Sequence, residues 1–152
     1  VVQSCPEVLG VHELTVHNYG PDRSFISFHA EVCAHKDIME LHEKIDALEK
    51  TLKNKFNCQA IIHMDPIVTD DQIVNNMREK LSTLVRLIHK DAKVYDLRIV
   101  PGKSPVVIFQ LSVPYDVDKS DREIIEAVAL SLKKIEPEYE CMMEINRNYF
   151  ND

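Results

Sequence analysis

The sequence predicts an α+β fold made of two copies of one unit. Three observations carry this. Short runs of apolar residues alternate in some stretches and recur at helical spacing in others. The order strand, strand, helix, strand occurs twice. The halves also match locally: Val11-His12-Glu13-Leu14 resembles Val94-Tyr95-Asp96-Leu97, and Ile26-Ser27-Phe28-His29-Ala30-Glu31-Val32 resembles Val107-Ile108-Phe109-Gln110-Leu111-Ser112-Val113.

Each element has a local reason. A strand around Val11 to Leu14 is followed by a strand over 24–33, in which Ile26, Phe28, Ala30 and Val32 face one way and Ser27, His29 and Glu31 the other. Ile38, Leu41, Ile45, Leu48 and Leu52 then recur at helical spacing behind a capping signal, Asp37 with Glu40. A short apolar strand, Cys58 to Met64, ends at Pro66, where the ladder is expected to stop. A second helix is predicted behind Thr69 with Gln72; its stripe is Ile73, Met77, Leu81, Leu84 and Ile88. Two strands follow, then a helix capped by Ser120 with Glu123 and carrying Ile124, Ile125, Val128, Leu132 and Ile135. The last strand is Cys141 to Ile145.

If the middle helix opens the second unit, that unit reads α-β-β-α-β and the first lacks its opening helix. The order fits a ferredoxin-like sheet covered by helices on one face. The expected division is 1–67 and 68–152. The chain starts at Val1 without an initiating methionine, and is read as a piece of a longer protein whose missing helix lies upstream.

Composition narrows the function classes. The 152 residues are 45% hydrophobic and 28% charged, an ordinary globular balance. No apolar run approaches the roughly 18 to 20 residues needed to span a bilayer. A net charge of −7 argues against nucleic acid, which needs a basic surface. The four cysteines, Cys5, Cys33, Cys58 and Cys141, include no C-x-x-C pair, which argues against a disulfide scaffold or a Cys-rich zinc site. There is no phosphate loop, nucleotide fingerprint or small-molecule substrate motif. With three glycines, a Cys/His hydrolase lacks material for an oxyanion pocket, so no enzyme is expected.

The histidines stand out. Six of seven fall between residues 12 and 63. In the stretch "IIHMDP", His63 and Asp65 sit two apart on a strand and so share a face. The second copy drops these groups: Tyr95 stands for His12, Gln110 for His29, Glu144 for His63 and Asn146 for Asp65, while His42 falls opposite Ile125 or Glu126. The apolar frame persists while the titratable groups go, as expected if one copy binds something and the other only holds a shape. Imidazoles with a carboxylate suit a borderline divalent cation: zinc, with manganese, iron(II), cobalt or cadmium also accommodated. Five ligands are too many for one tetrahedral ion, but fit two if Asp65 bridges. Each residue also has an ordinary reading. His12 can be a surface residue, His29 a solvated one and His42 a partly buried helix histidine, and an isolated H-x-D is commonly structural.

Three segments, "GVHELTVHNYGPDRSFISFHAEV", "ELHEKIDALEKTL" and "IIHMDP", in that order, resemble the C-terminal cytoplasmic domain of the cation diffusion facilitator transporters. The resemblance covers residues 10–67. It implies a metallochaperone-like α+β fold, a homodimer beneath a transmembrane domain on the cytoplasmic side of the membrane, and a binuclear zinc-type site of His12, His29, His42, His63 and Asp65 near the dimer interface. Residues 68–152 exceed the short form of that domain and are read as the ligand-free copy. The expected function is regulatory: metal binding ties two subunits into one arrangement and biases a divalent cation/proton antiporter. The alternative is a dimerisation scaffold that works without metal. A free metallochaperone is disfavoured by the absence of a Cys pair.

Overall fold

The computed structural model describes residues 1–21 and 23–148. By its contacts the chain divides into two compact units, Val1–Val68 and Thr69–Asp152. Both are mixed α+β.

The first unit opens with a 3-10 turn, Val2–Ser4, and continues as β1 (Val8–Asn18), β2 (Ser24–Cys33), α1 (Ile38–Phe56) and β3 (Cys58–Ile67). The sheet order is β1-β2-β3, with β1 antiparallel and β3 parallel to the central β2. Asp37 caps α1 through its carboxylate, which accepts from the amides of Met39 and Glu40. Asn57 ends it in the left-handed region, behind Lys53 and Lys55, which suit the negative end of the helix dipole. Ile45 and Leu52 pack on Phe28, Ala30 and Ile62, the even-numbered face of β2 and β3. Odd-numbered residues, including His29, His63 and Asp65, therefore belong to the other face.

The expectation that Pro66 stops β3 is corrected: the strand continues to Ile67. The Ile67 carbonyl accepts from Ala34 N at 2.9 Å, so Ile67 faces β2. Pro66, one residue before, turns its nitrogen to the outer edge, where no ladder bond is lost. Ile38 also departs from the expected stripe and is exposed.

The second unit runs α2 (Gln72–Arg86), β4 (Lys93–Val100), β5 (Val106–Pro114), α3 (Asp121–Ile135) and β6 (Glu140–Asn148), with sheet order β4-β5-β6 and the same antiparallel and parallel senses. Together these are tandem ferredoxin-like units, the second α-β-β-α-β and the first β-β-α-β. The cap of α2 is Asp71, not Thr69: its Oδ1 accepts from the amides of Ile73 and Val74. A carboxylate is a strong cap and here sits one residue before the helix. Ser120 and Glu123 form the full reciprocal capping box of α3. The core joins Met77, Leu81 and Val85 of α2, Leu97 of β4, Phe109 and Leu111 of β5, and Ile124, Val128 and Leu132 of α3. Ile73, Ile125 and Ile135, expected on helix stripes, are exposed, because a helix buries one face and each lies past its edge.

A shared irregularity fixes the correspondence of the units. β1 bulges between His12 and Thr15, with Glu13 at φ 55; β4 bulges between Tyr95 and Arg98, with Asp96 at φ 48. The ladders then equate the rows. His12–His29–His63 runs across one sheet as Tyr95–Gln110–Glu144 runs across the other, and Asp65 occupies the place of Asn146. Counted from the helix caps, His42 corresponds to Ile125.

Candidate metal centre

Register builds the site. His12 pairs with His29 across β1 and β2, and His29 with His63 across β2 and β3, so three imidazoles form one row. Ring centroids are 5.2 Å apart for His12 and His29 and 4.6 Å for His29 and His63. Asp65 follows His63 two residues later on the same face. Its Oδ2 lies 3.0 Å from His12 Nε2 and 2.9 Å from His29 Nδ1, while Oδ1 lies 3.3 Å from His63 Nε2.

His12, His29 and Asp65 each offer a ligand atom, all within 4.8 Å of one another. A tetrahedral ion with bonds of about 2.1 Å holds its ligand atoms roughly 3.4 Å apart. The donor set and spacing therefore fit a zinc-type cation after small outward movements of the side chains. The carboxylate divides its oxygens, one toward His12 and His29 and one toward His63, which is the arrangement of a potential bridging ligand.

Burial is graded across the row. The side chain of His12 is 2% exposed, Asp65 10%, His29 29% and His63 66%. Burial pushes the His12 imidazole below its ordinary value, and the Asp65 charge pulls the other way without overcoming it. His12 is therefore held neutral, the form that donates a lone pair to a metal.

The sequence brought His12, His29, His63 and Asp65 into one proposal, and the chain brings these four together. His42 is different. It stands exposed on α1, which covers the opposite face of the sheet; the pKa of Asp46, one turn on, is lowered chiefly by its hydrogen bond from Lys50, with His42 adding a smaller pull. It is not in the ligand group among the described residues. His17 stacks on Tyr19, with ring centroids 6.0 Å apart, and His89 lies near Asp91 and Asp116.

Sequence reading missed Glu13. Its Oε2 lies 3.1 Å from His29 Nε2. Strict alternation assigns Glu13 and His12 to opposite faces, and only the bulge turns both toward His29. The repeated acid after His12 and Tyr95 was the one available signal.

A cavity of about 500 Å³, lined by Tyr19, Arg23, Phe25, Lys53, Asn57 and Gln59, sits at the other end of the strands and contains none of these groups.

Comparison with known proteins follows the same boundary. Residues 1–67 match the family described as cation efflux protein, cytoplasmic domain. The cation-efflux pump FieF of Yersinia enterocolitica is 37% identical over 67 residues, which are 43% of this chain and 22% of FieF. The chain thus spans about a fifth of that relative's length. A solved structure of CzrB in its zinc form, described as a zinc transporter, is 38% identical, covering 39% of this chain and 66% of that one, with a TM-score of 0.37. Residues 1–67 are thus similar to the cytoplasmic domain of the cation efflux proteins.

Proposed function

We propose that the first unit is a metal-sensing, dimerising module of a divalent cation/proton antiporter, and that His12, His29, His63 and Asp65 hold a zinc-type ion. One observation carries this reading: two imidazole nitrogens converge within 3.0 Å on one oxygen of a buried carboxylate, and a third imidazole meets the other oxygen. Packing alone does not call for such a cluster; buried ionisable groups are retained when something uses them.

The split carboxylate favours two ions, the first with His12 and His29 and the second with His63. His42 joins the second ion in this reading from a second copy of the chain, since its own α1 covers the opposite face of the sheet. Manganese, iron(II), cobalt and cadmium are accepted by the same donors, and imidazole with carboxylate suits zinc. Self-association is supported by apolar side chains left in water: Leu14 is 48% exposed, Val16 61% and Ile61 53%. Ile61 shares the face of His63, so a subunit seated there lies beside the ions. Metal bound more tightly in the paired arrangement shifts the population toward it and biases an attached membrane domain. The residues act by binding, and no catalytic role is assigned.

Zinc calorimetry with sedimentation on the parent and on His63→Ala with Asp65→Ala tests the reading. Expected are uptake and zinc-dependent dimerisation in the parent, both lost in the double variant. Dimerisation without uptake selects the second reading, a metal-independent scaffold. That reading draws on the second unit, which keeps the same ladder and bulge with Tyr95, Gln110 and Glu144 in the row.

A further inference from the structure

We infer that Glu13 is a positioning residue that sets the tautomer of His29 for cation capture; this rests on the metal reading above. His29 lies between two carboxylates. Its Nδ1 is 2.9 Å from Asp65 Oδ2 and its Nε2 is 3.1 Å from Glu13 Oε2. A neutral imidazole has one N–H and one lone pair. If the proton sits on Nδ1, it points at Asp65 and occupies the space a cation needs. If it sits on Nε2, it is donated to Glu13, and the Nδ1 lone pair joins His12 Nε2 and Asp65 Oδ2 around one point. Asp65 favours the first state, since its contact with Nδ1 is itself a hydrogen bond; Glu13 is the group that favours the second and leaves Nδ1 free for a cation. A carboxylate behind a ligating histidine also raises its basicity and fixes its ring orientation.

The backbone gives independent support. Glu13 adopts φ 55, a region in which a side chain as long as Glu is uncommon. The bulge itself needs only the conformation, which glycine supplies more readily. The second unit makes the same bulge with Asp96 at φ 48, but Gln110 replaces the histidine, and the Asp96 carboxylate lies 3.9 Å from Arg98. The bulge therefore belongs to the fold, and the reach of Glu13 to His29 belongs to the site.

The test uses the whole chain. Glu13→Gly keeps the positive φ and deletes the carboxylate, Glu13→Ala deletes it alone, and Glu13→Gln keeps an acceptor of the same length. Nitrogen-15 spectra of the His29 ring, recorded without metal at about pH 8 where imidazoles are neutral, read the tautomer directly. A larger fraction of the Nε2–H form is expected in the parent than in Glu13→Gly and Glu13→Ala, where Asp65 alone holds the proton on Nδ1, with Glu13→Gln in between. Zinc affinity by calorimetry is expected to fall roughly 10- to 100-fold in the two deletions, with Glu13→Gln in between. An unchanged tautomer, or affinities within twofold of a zinc-binding parent, overturns the role of Glu13 alone. A parent that takes up no zinc overturns the metal reading as well.

Discussion

The two units share a ladder, a bulge and a crossover helix, yet equivalent positions have different environments. Leu97 is 3% exposed, and its counterpart Leu14 is 48% exposed. Ile99 packs against the core of its unit, while Val16 stands 61% exposed. The difference is α2. It packs along β4, and among the described residues nothing equivalent lies over β1, where only the turn Val2–Ser4 precedes the strand. The reverse contrast holds on the other face, where the first unit carries His12, His29, His63 and Asp65 and the second carries Tyr95, Gln110, Glu144 and Asn146. One unit is finished as a core and plain as a site; the other is furnished as a site and open along its first strand. Fold and chemistry have been varied independently on one frame.

The largest expected effect tests the core half of this contrast. Leu97→Ala should destabilise the second unit by about 2–5 kcal/mol, the usual range for a buried leucine. Leu14→Ala should change the first by roughly 0.5 kcal/mol or less, as at other exposed positions. Urea unfolding of each variant measures both, and equal losses would break the comparison.

The site half comes next. Transferring the donors to the second unit, as Tyr95→His, Gln110→His, Glu144→His and Asn146→Asp together, should add a zinc site, read as extra equivalents of zinc per chain in calorimetry. The reciprocal change His29→Gln in the first unit should weaken zinc binding about tenfold or more, near 1.4 kcal/mol. If the graft takes up nothing while the parent binds, the register match is insufficient to make a site.

A smaller effect follows from pH. Burial holds folded His12 below its ordinary value. As pH falls through about 6.5, the unfolded chain takes a proton that the folded site refuses, so the metal-free first unit loses stability. The loss levels off below the folded value. His12→Tyr, which copies Tyr95, should remove this component. Thermal unfolding of parent and variant at about pH 8 and pH 5.5, spanning the reference His value, checks it, and identical slopes would discount the burial of His12.

Much of this was legible in the chain. The alternation of Ile26, Phe28, Ala30 and Val32 located β2 and its core face, and the spacing of Leu41, Ile45 and Leu52 located α1. The duplication exposed the histidines as additions to a frame. Other features depend on hydrogen-bond direction, which residue type does not reveal: Pro66 continues the strand because its nitrogen faces outward, and Glu13 reaches His29 because a bulge turns it. The Asp71 cap won over Thr69 by position. His42 came from resemblance, and its exposure on α1 explains why periodicity could not link it to the strands.

Pro66 has a consequence beyond β3. Unpaired amides along the outer border of a small sheet invite another chain to extend it. At Pro66 that border offers no donor. At the matching place in β6 stands Arg147, a charged side chain that bonds Asp121 and the carbonyls of Val117 and Lys119. Both halves thus blunt the same rim, the outer border of the last strand, against strand-by-strand stacking into fibres.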